Sequence, residues 1–306
     1  MKTAIVGAGA MGCLFAGLMA GAGIDVGLLE NSEKRVDTVR KHGLKIRWMD
    51  GSSSAFSPPR VKITARPRDI GKVGLLLVFV KAYDTEKAIK NALPLLDKET
   101  IILTLQNGLG NVEAIKRVAK RNGVIAGITS HGANVDENGL IRHAGTGETI
   151  IGCGPKAVEI ASLLNSAGIG TRVSKRISDV IWTKLLINAA INPLTAATRL
   201  KNGELLKSGC LRDLMKTVAC EVESVARKKG IRITNPSKKV ESVCRATAEN
   251  VSSMLQDIVN HRKTEIDFIN GAVVREAEKL SVPVPSTTAM WKIVKSLECV
   301  ITKSRC

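Results

Sequence analysis

From its first residues the chain alternates short apolar runs with amphipathic stretches, the rhythm of strands exchanging with helices. Lys2 to Val6 reads as a short buried strand, Ala10 to Ala22 as a helix and Asp25 to Leu29 as a second strand. Ser32 to His42 has helical spacing, and Leu44 to Met49 and Val61 to Thr64 read as strands bracketing a Ser/Pro-rich loop. Leu75 to Val80 is a continuous apolar run, the mark of a parallel strand buried on both faces. A helix over Thr85 to Leu96 and a strand over Thr100 to Leu105 follow. Val124 to Thr129, Leu140 to His143 and Thr149 to Gly152 add strands, Pro155 to Ala167 a helix and Gly170 to Val173 a last strand. Past about residue 175 the strand signals stop, and helical patterns cover Asp179 to Thr198, Leu211 to Lys229, Lys239 to Asn250, Glu265 to Leu280 and Pro285 to Thr302.

The first strand runs straight into Gly7-Ala8-Gly9-Ala10-Met11-Gly12, a GxGxxG with strand before and helix after. The first glycine permits the tight turn, the second lets a pyrophosphate approach the backbone, and the third lets helix pack on strand. Phosphates then meet the free N–H groups at the helix N-terminus. The expected fold class is therefore α/β: an N-terminal Rossmann-type dinucleotide-binding domain, residues 1–174, followed by an all-helical C-terminal domain, residues 175–306. At the end of the second strand Glu30 suits the ribose hydroxyls of NAD, while Lys34 and Arg35 suit the extra phosphate of NADP, so the choice stays open here. Lys81 and Asn107 fall just past the carboxyl ends of strands, where doubly wound sheets bind ligands. Asn107-Gly108 taken alone is a turn signal.

The stretch Trp182 to Ala197, WTKLLINAAINPLTAA, carries a different pattern. On a helix, Lys184, Asn188 and Asn192 follow at four-residue steps, an ammonium and two amides in a row, with Leu185, Leu186, Ile187, Ala189 and Ala190 filling the remainder. Each residue alone reads as a core helix's snorkelling lysine or a satisfied asparagine; three in register read as a site. Pro193 predicts a kink or restart there with Asn192 as cap. Further on, Ser252-Ser253 offers either a helix-interior pair or two hydroxyls for a carboxylate. Thr264 reads as the cap of a helix whose first turn holds Glu265 and Asp267, which explains both acids as capping.

Composition narrows the function classes. The 306 residues suit two domains, and 44% hydrophobic with 24% charged is ordinary for a folded protein. Aromatics are 3%, too few for base-stacking platforms. The net charge of +18 is spread over short clusters (Lys34-Arg35, Arg227-Lys228-Lys229, Lys238-Lys239), a solvated face rather than a nucleic-acid surface. Seven dispersed cysteines without a CxxC pair suit reduced thiols in the cytoplasm, and neither they nor the four histidines show metal-ligand spacing. The glycine-rich N-terminal run belongs to the fold rather than to a signal peptide or membrane span.

Taken together, GAGAMG at Gly7, VKAYD at Val80, QNGLG at Gln106, WTKLLINAAINPLTA at Trp182 and SSMLQDIVNHRKTEIDFING at Ser252 resemble the 2-dehydropantoate 2-reductases, or ketopantoate reductases, over essentially the full length. The resemblance implies NADPH-linked reduction of a branched 2-oxo acid to (R)-pantoate, with the substrate in a cleft between a Rossmann and a helical domain. Position by position, it assigns catalysis to Lys184 and its partner Glu265. Substrate contacts fall to Asn188, Asn192, Ser253 and Asn107. Cofactor contacts fall to Gly7, Ala8, Gly9, Ala10, Met11, Gly12, Glu30, Asn31, Lys81, Asn107 and Glu265. Asp257 lies in a family motif without a firm role. The departure is Asn31, where NADPH-using relatives often place an arginine; with Glu30 beside it, NADH stays open next to NADPH. Expected partners are a small 2-oxo acid and, in assembly, a homodimer; nucleic acid, membrane and metal are not expected. The rival readings are a related NAD(P)-dependent reductase of another small 2-oxo acid and a non-enzymatic dinucleotide-binding protein.

Overall fold

In the computed structural model, residues 1–136 and 139–303 are described. The chain forms two compact units, one of residues 1–106 and 111–177, the other of 107–110 and 178–306. In chain order the first unit contains β1 (Thr3–Val6), α1 (Ala10–Gly21), β2 (Val26–Leu29), α2 (Glu33–His42), β3 (Leu44–Arg47), β4 (Ser53–Phe56), β5 (Val61–Thr64) and β6 (Leu75–Val78). It continues through α3 (Thr85–Ala92), β7 (Ile101–Thr104), α4 (Asn111–Val118), β8 (Gly123–Thr129), β9 (Gly132–Val135), β10 (Ile141–Gly145), β11 (Thr149–Gly152), α5 (Ala157–Ser166) and β12 (Thr171–Ser174).

Among the described residues, eight strands make one sheet in the order β12-β11-β8-β7-β6-β1-β2-β5, and β4-β3-β10-β9 make a second. Neighbours in the large sheet run parallel except β11 against β8. The strand order reverses at β1, which places the Gly7–Gly12 loop at the switch point where such sheets bind ligands. Alternation along each strand explains the continuous apolar runs. Ile5, Leu75, Leu77 and Leu103 face one core, with Phe15 and Met19 of α1. Ala4, Val6, Leu76, Val78 and Ile102 face another, with Ile89 of α3 and Ile115 of α4. The small sheet packs on α1, where Ile46 of β3 occupies the space a side chain at Gly17 would need.

The second unit contains α6 (Ile177–Thr198, from Ser178 on), α7 (Gly209–Lys228), α8 (Pro236–Ala246), α9 (Ser253–Val259), α10 (Asn270–Lys279) and α11 (Pro285–Lys303). Its core joins Trp182 and Leu186 of α6 to Met215 and Val222 of α7, Val240 of α8, Val273 of α10 and Val294 of α11. No helix of the described residues is long and apolar enough to cross a membrane.

Several elements depart from the sequence pattern. Strand β4 lies inside the Ser/Pro-rich loop, and β9, α4 and α9 add to the elements the pattern predicts, α4 being a short amphipathic helix. The helix expected to reach Leu96 gives way at Leu93 to a 3₁₀ turn containing Pro94. The expected break at Pro193 is absent: α6 is one helix of 22 residues with Pro193 inside it, and Asn192 is no cap. Proline strips the bond from the carbonyl four residues back, and that carbonyl, of Ala189, instead accepts from Asn270 Nδ2 at 3.1 Å. Nor does a helix start at Glu265. Residues 265–269 form a bend and turns, α10 starts at Asn270, and Thr264 donates to Glu298 while its hydroxyl accepts from Ile266 N of that turn.

Asn270 thus fills the place of a missing backbone donor. Asn270→Ala is expected to destabilise the chain by about 1–3 kcal/mol in equilibrium urea unfolding, the usual cost of an orphaned buried acceptor. In a Pro193→Ala background the restored N–H at 193 takes that carbonyl, and the cost falls by at least half. Equal costs in both backgrounds would refute the pairing.

Candidate active site

The glycine loop has the shape its sequence pattern demands. Gly7 lies at φ +99°, and a Cβ there would meet Val80 N at 2.8 Å, so the turn closes only without a side chain. A Cβ at Gly12 would overlap the Gly7 carbonyl. Gly9 is exposed and has nothing within 4 Å of a built Cβ, leaving room for a phosphate against the backbone. It also N-caps α1 with no side-chain cap bond, and the first turn of α1 holds no acid, so the helix N-terminus is open to an anion. These features fit a dinucleotide's pyrophosphate.

Glu30 is tied into this loop. Its Oε2 accepts from Ala8 N at 3.0 Å and its Oε1 from Ser32 N at 2.9 Å, so two backbone donors fix the carboxylate at the end of β2. Arg35 turns inward, placing Nη2 3.5 Å from the buried Cys13 thiol, which burial holds as the neutral form against the pull of Arg35. The exposed Asn31 accepts from Asn91 Nδ2 at 2.9 Å. Lys81 is half-buried just past β6. Close by, Gln106 Nε2 donates at 2.8 Å to both the Val80 carbonyl and Thr85 Oγ1, while its Oε1 accepts from Thr104 at 2.9 Å. Gln106 escaped the sequence analysis as a site residue. The available signal was a polar amide directly after an apolar strand.

Within the helical unit, α6 carries Lys184, Asn188 and Asn192 on successive turns. Lys184 and Asn188 are half-buried and Asn192 is 8% exposed. Burial lowers the Lys184 ammonium to about 8 from its ordinary 10.5, and the charge of Glu265 opposes that shift. The resemblance leads one to expect Glu265 to keep the lysine protonated; it does act in that direction, but desolvation is the larger effect. Glu265 is 7% exposed, on the turn segment just before α10. Of the two serines, Ser252 is buried, shares a 2.6 Å hydrogen bond with Thr195 and caps α9 by accepting from Leu255 N. Ser253 is exposed at the first position of α9, so the pair divides into one structural and one available hydroxyl. Asp257 is buried on the same helix.

Asn107 is half-buried and belongs to this helical unit, with Gly108 at φ +82° beside it. A Cβ on Gly108 would overlap the Phe268 carbonyl, and Leu109 N donates to that same oxygen at 2.9 Å. The Asn-Gly pair is therefore more than a turn: its glycine allows the backbone to close on the segment that follows Glu265. Lys184, Glu265, Asn188, Asn192, Ser253 and Asn107 thus share one unit, whereas Gly7 to Gly12, Glu30, Asn31 and Lys81 share the other. A general acid with an amide row beside it can protonate and orient a carbonyl substrate, and an open glycine turn can hold a diphosphate.

Known proteins match both parts of the chain. Residues 3–156 match the family model described as Ketopantoate reductase PanE/ApbA, and residues 176–298 match its C-terminal counterpart. The 2-dehydropantoate 2-reductase of Pyrococcus abyssi is 36% identical over 98% of this chain and 99% of its own. A PanE/ApbA family ketopantoate reductase from Ralstonia eutropha JMP134 superposes with TM-score 0.92 at 28% identity, covering 99% of this chain and 100% of that one. A ternary structure of D-mandelate dehydrogenase with NADH and anilino(oxo)acetate gives the same TM-score at 27% identity, over 99% of both chains. The chain, with a Rossmann-like domain followed by a helical one, belongs to the Ketopantoate reductase PanE/ApbA family.

Proposed function

We propose that this chain reduces 2-dehydropantoate to (R)-pantoate, a step of pantothenate and coenzyme A biosynthesis. In this reading residues 1–174 take a nicotinamide dinucleotide and residues 175–306 the oxo acid. The observation that carries it is Lys184, an ammonium lowered to about 8 beside Glu265 on a helix that also presents Asn188 and Asn192. The curated relatives named 2-dehydropantoate 2-reductase support the substrate. The D-mandelate dehydrogenase neighbour supports a 2-oxo acid more generally. Six free thiols among the described residues support a reducing compartment, the cytoplasm.

When bound, the dinucleotide supplies a hydride to the carbonyl carbon. The chain's residues supply the rest. The loop from Gly7 to Gly12, with Ala8, Ala10 and Met11, receives the pyrophosphate at the N-terminus of α1. Lys184 donates a hydrogen bond to the substrate carbonyl and then a proton to the oxygen as negative charge develops on it. Glu265 favours the protonated lysine, and Asn188 and Asn192 orient the substrate's hydroxyl and carboxylate. Ser253 donates to the carboxylate, Lys81 contacts the dinucleotide and Asn107 the substrate.

For the donor, the family implies NADPH, but Glu30 supports NADH. Two backbone N–H groups hold its carboxylate where the adenine ribose binds in this fold. Ribose hydroxyls can donate to its remaining lone pairs, whereas a 2′-phosphate there meets like charge. Asn31 contributes no charge, and Arg35 is turned to Cys13.

The direct test follows NADH and NADPH oxidation separately with ketopantoate and a panel of other 2-oxo acids. Lys184→Ala is expected to lower kcat by about 10²–10⁴, the range for a lost general acid, with dinucleotide affinity nearly unchanged. Because the acid must carry its proton, kcat should fall as pH rises through about 8. Near-normal turnover in this variant would remove Lys184 from the mechanism. Glu30→Gln should shift the NADH-to-NADPH preference toward NADPH by roughly tenfold, as expected for removing one charge beside a phosphate; an unmoved ratio would sink the role given to Glu30.

A further inference from the structure

The last helix grips the segment that carries Glu265 at two points. Glu298 Oε1 accepts from Thr264 N at 2.8 Å and from Thr264 Oγ1 at 2.6 Å. On the same helical face, Trp291 Nε1 donates to Asp267 Oδ1 at 2.7 Å and Lys295 Nζ to Asp267 Oδ2 at 3.0 Å. Lys295 also bonds Glu298 Oε2 at 2.8 Å, closing the rail. Positions 291, 295 and 298 are the i, i+4, i+7 face of α11, so a single helix side holds residues 264 and 267 and leaves Glu265 bracketed.

We propose that Glu298 is a positioning residue: through Thr264 it fixes the Glu265 carboxylate within reach of the Lys184 ammonium, with Lys295 and Trp291 holding the far side of the same turn through Asp267. The proposal deepens the reductase reading, which gives Lys184 and Glu265 their roles. Glu298 is 6% exposed and Thr264 1%, and a buried carboxylate costs more than an apolar contact unless it is fully paired. Mere cohesion of the segment needs no such group. A fixed direction for the residue between two anchors does. The charged groups around the clamp are largely balanced among themselves, since Lys295 pairs with both Asp267 and Glu298 and Lys263 also acts on Asp267. Glu265 is the charge that acts on Lys184.

The test compares Thr264→Val, which at constant shape removes the hydroxyl that donates to Glu298 and accepts from Ile266 N, with Thr264→Ser, which keeps it, and with Glu298→Ala, which removes only the Glu298 side. Two readouts are taken: the alkaline limb of kcat, and the titration of the Lys184 Cε signal in ¹³C-lysine-labelled protein, assigned with Lys184→Arg. A loosened Glu265 raises the lysine less, so both midpoints should fall by roughly half to one pH unit in Thr264→Val, as for partial loss of an opposite charge. Its kcat should drop about fivefold to tenfold, with dinucleotide KM unchanged, and Thr264→Ser should behave as the parent. If Glu298→Ala does not fold, Thr264→Val carries the test alone. A folded Thr264→Val protein whose Lys184 signal titrates where the parent's does overturns the proposal. A shifted signal in a parent that reduces no ketopantoate supports the clamp and overturns the substrate assignment instead.

Discussion

A lysine ammonium half-buried on an apolar helix is the interaction on which the proposed chemistry of the helical unit depends. Desolvation takes Lys184 down to about 8, and only the carboxylate of Glu265 pulls the other way. The linkage has a definite sign. The unfolded chain binds this proton more tightly than the folded one, so the lysine's contribution to stability is greatest above its ordinary value of 10.5 and is lost as pH falls toward about 8. At neutral pH the charge that the proposed chemistry needs therefore works against folding. Leu185, Leu186, Ala189 and Ala190, all buried beside it on α6, offset that strain with apolar contact. An ammonium on so apolar a helix costs stability, which is why the proposed function gives it the role of acid.

The glycine turn answers a different demand, that of bringing an anion to bare backbone. Its geometry depends on neighbours far along the chain. Gly7 must pass close to Val80, and the Val80 carbonyl is in turn held by Gln106 after β7. Because β1 pairs with β6 in register from Thr3 and Leu75 onward, and β6 with β7, these ends arrive together. Glu30 joins from β2 by bonding Ala8. Four consecutive parallel strands thus build one rim, and the sheet order around β1 is what makes a local sequence pattern into a binding surface.

Much of this was legible in the residues. The buried strands β1, β2, β6 and β7 announce themselves as apolar runs, and the glycine spacing with its strand and helix specifies the turn. The row Lys184, Asn188, Asn192 is visible because helical periodicity is strict. Other features depend on partners distant in sequence and leave no local trace. Strands β4 and β9 are short edge strands of the small sheet, formed of exposed and half-buried residues with no fully buried face. Thr264 followed by two acids has the look of a helix start, yet Glu298, 34 residues away, takes both its donors. Likewise Ser252 and Ser253 are equivalent on paper; only the bond from Thr195 separates the buried cap from the exposed hydroxyl.

Pro193 shows most clearly how a local rule gives the right chemistry and the wrong shape. The missing donor is real, and the sequence pattern places the freed acceptor correctly one turn back. What the rule cannot contain is the amide of Asn270, fully buried, that occupies the Ala189 carbonyl and lets the helix continue. That bond ties α6, which carries the acid, to the first residue of α10, five positions after Glu265. The same short segment is held at Thr264 by Glu298, at Asp267 by Trp291 and Lys295, and at the Phe268 carbonyl by Leu109. A carboxylate meant only to cap a helix needs one neighbour. One that must stay opposite a half-desolvated ammonium needs its backbone fixed from several directions, because Coulomb energy in a low-dielectric site changes steeply with distance. The carbonyl freed by the proline inside α6 is thus where α6 is joined to the end of the segment that carries Glu265.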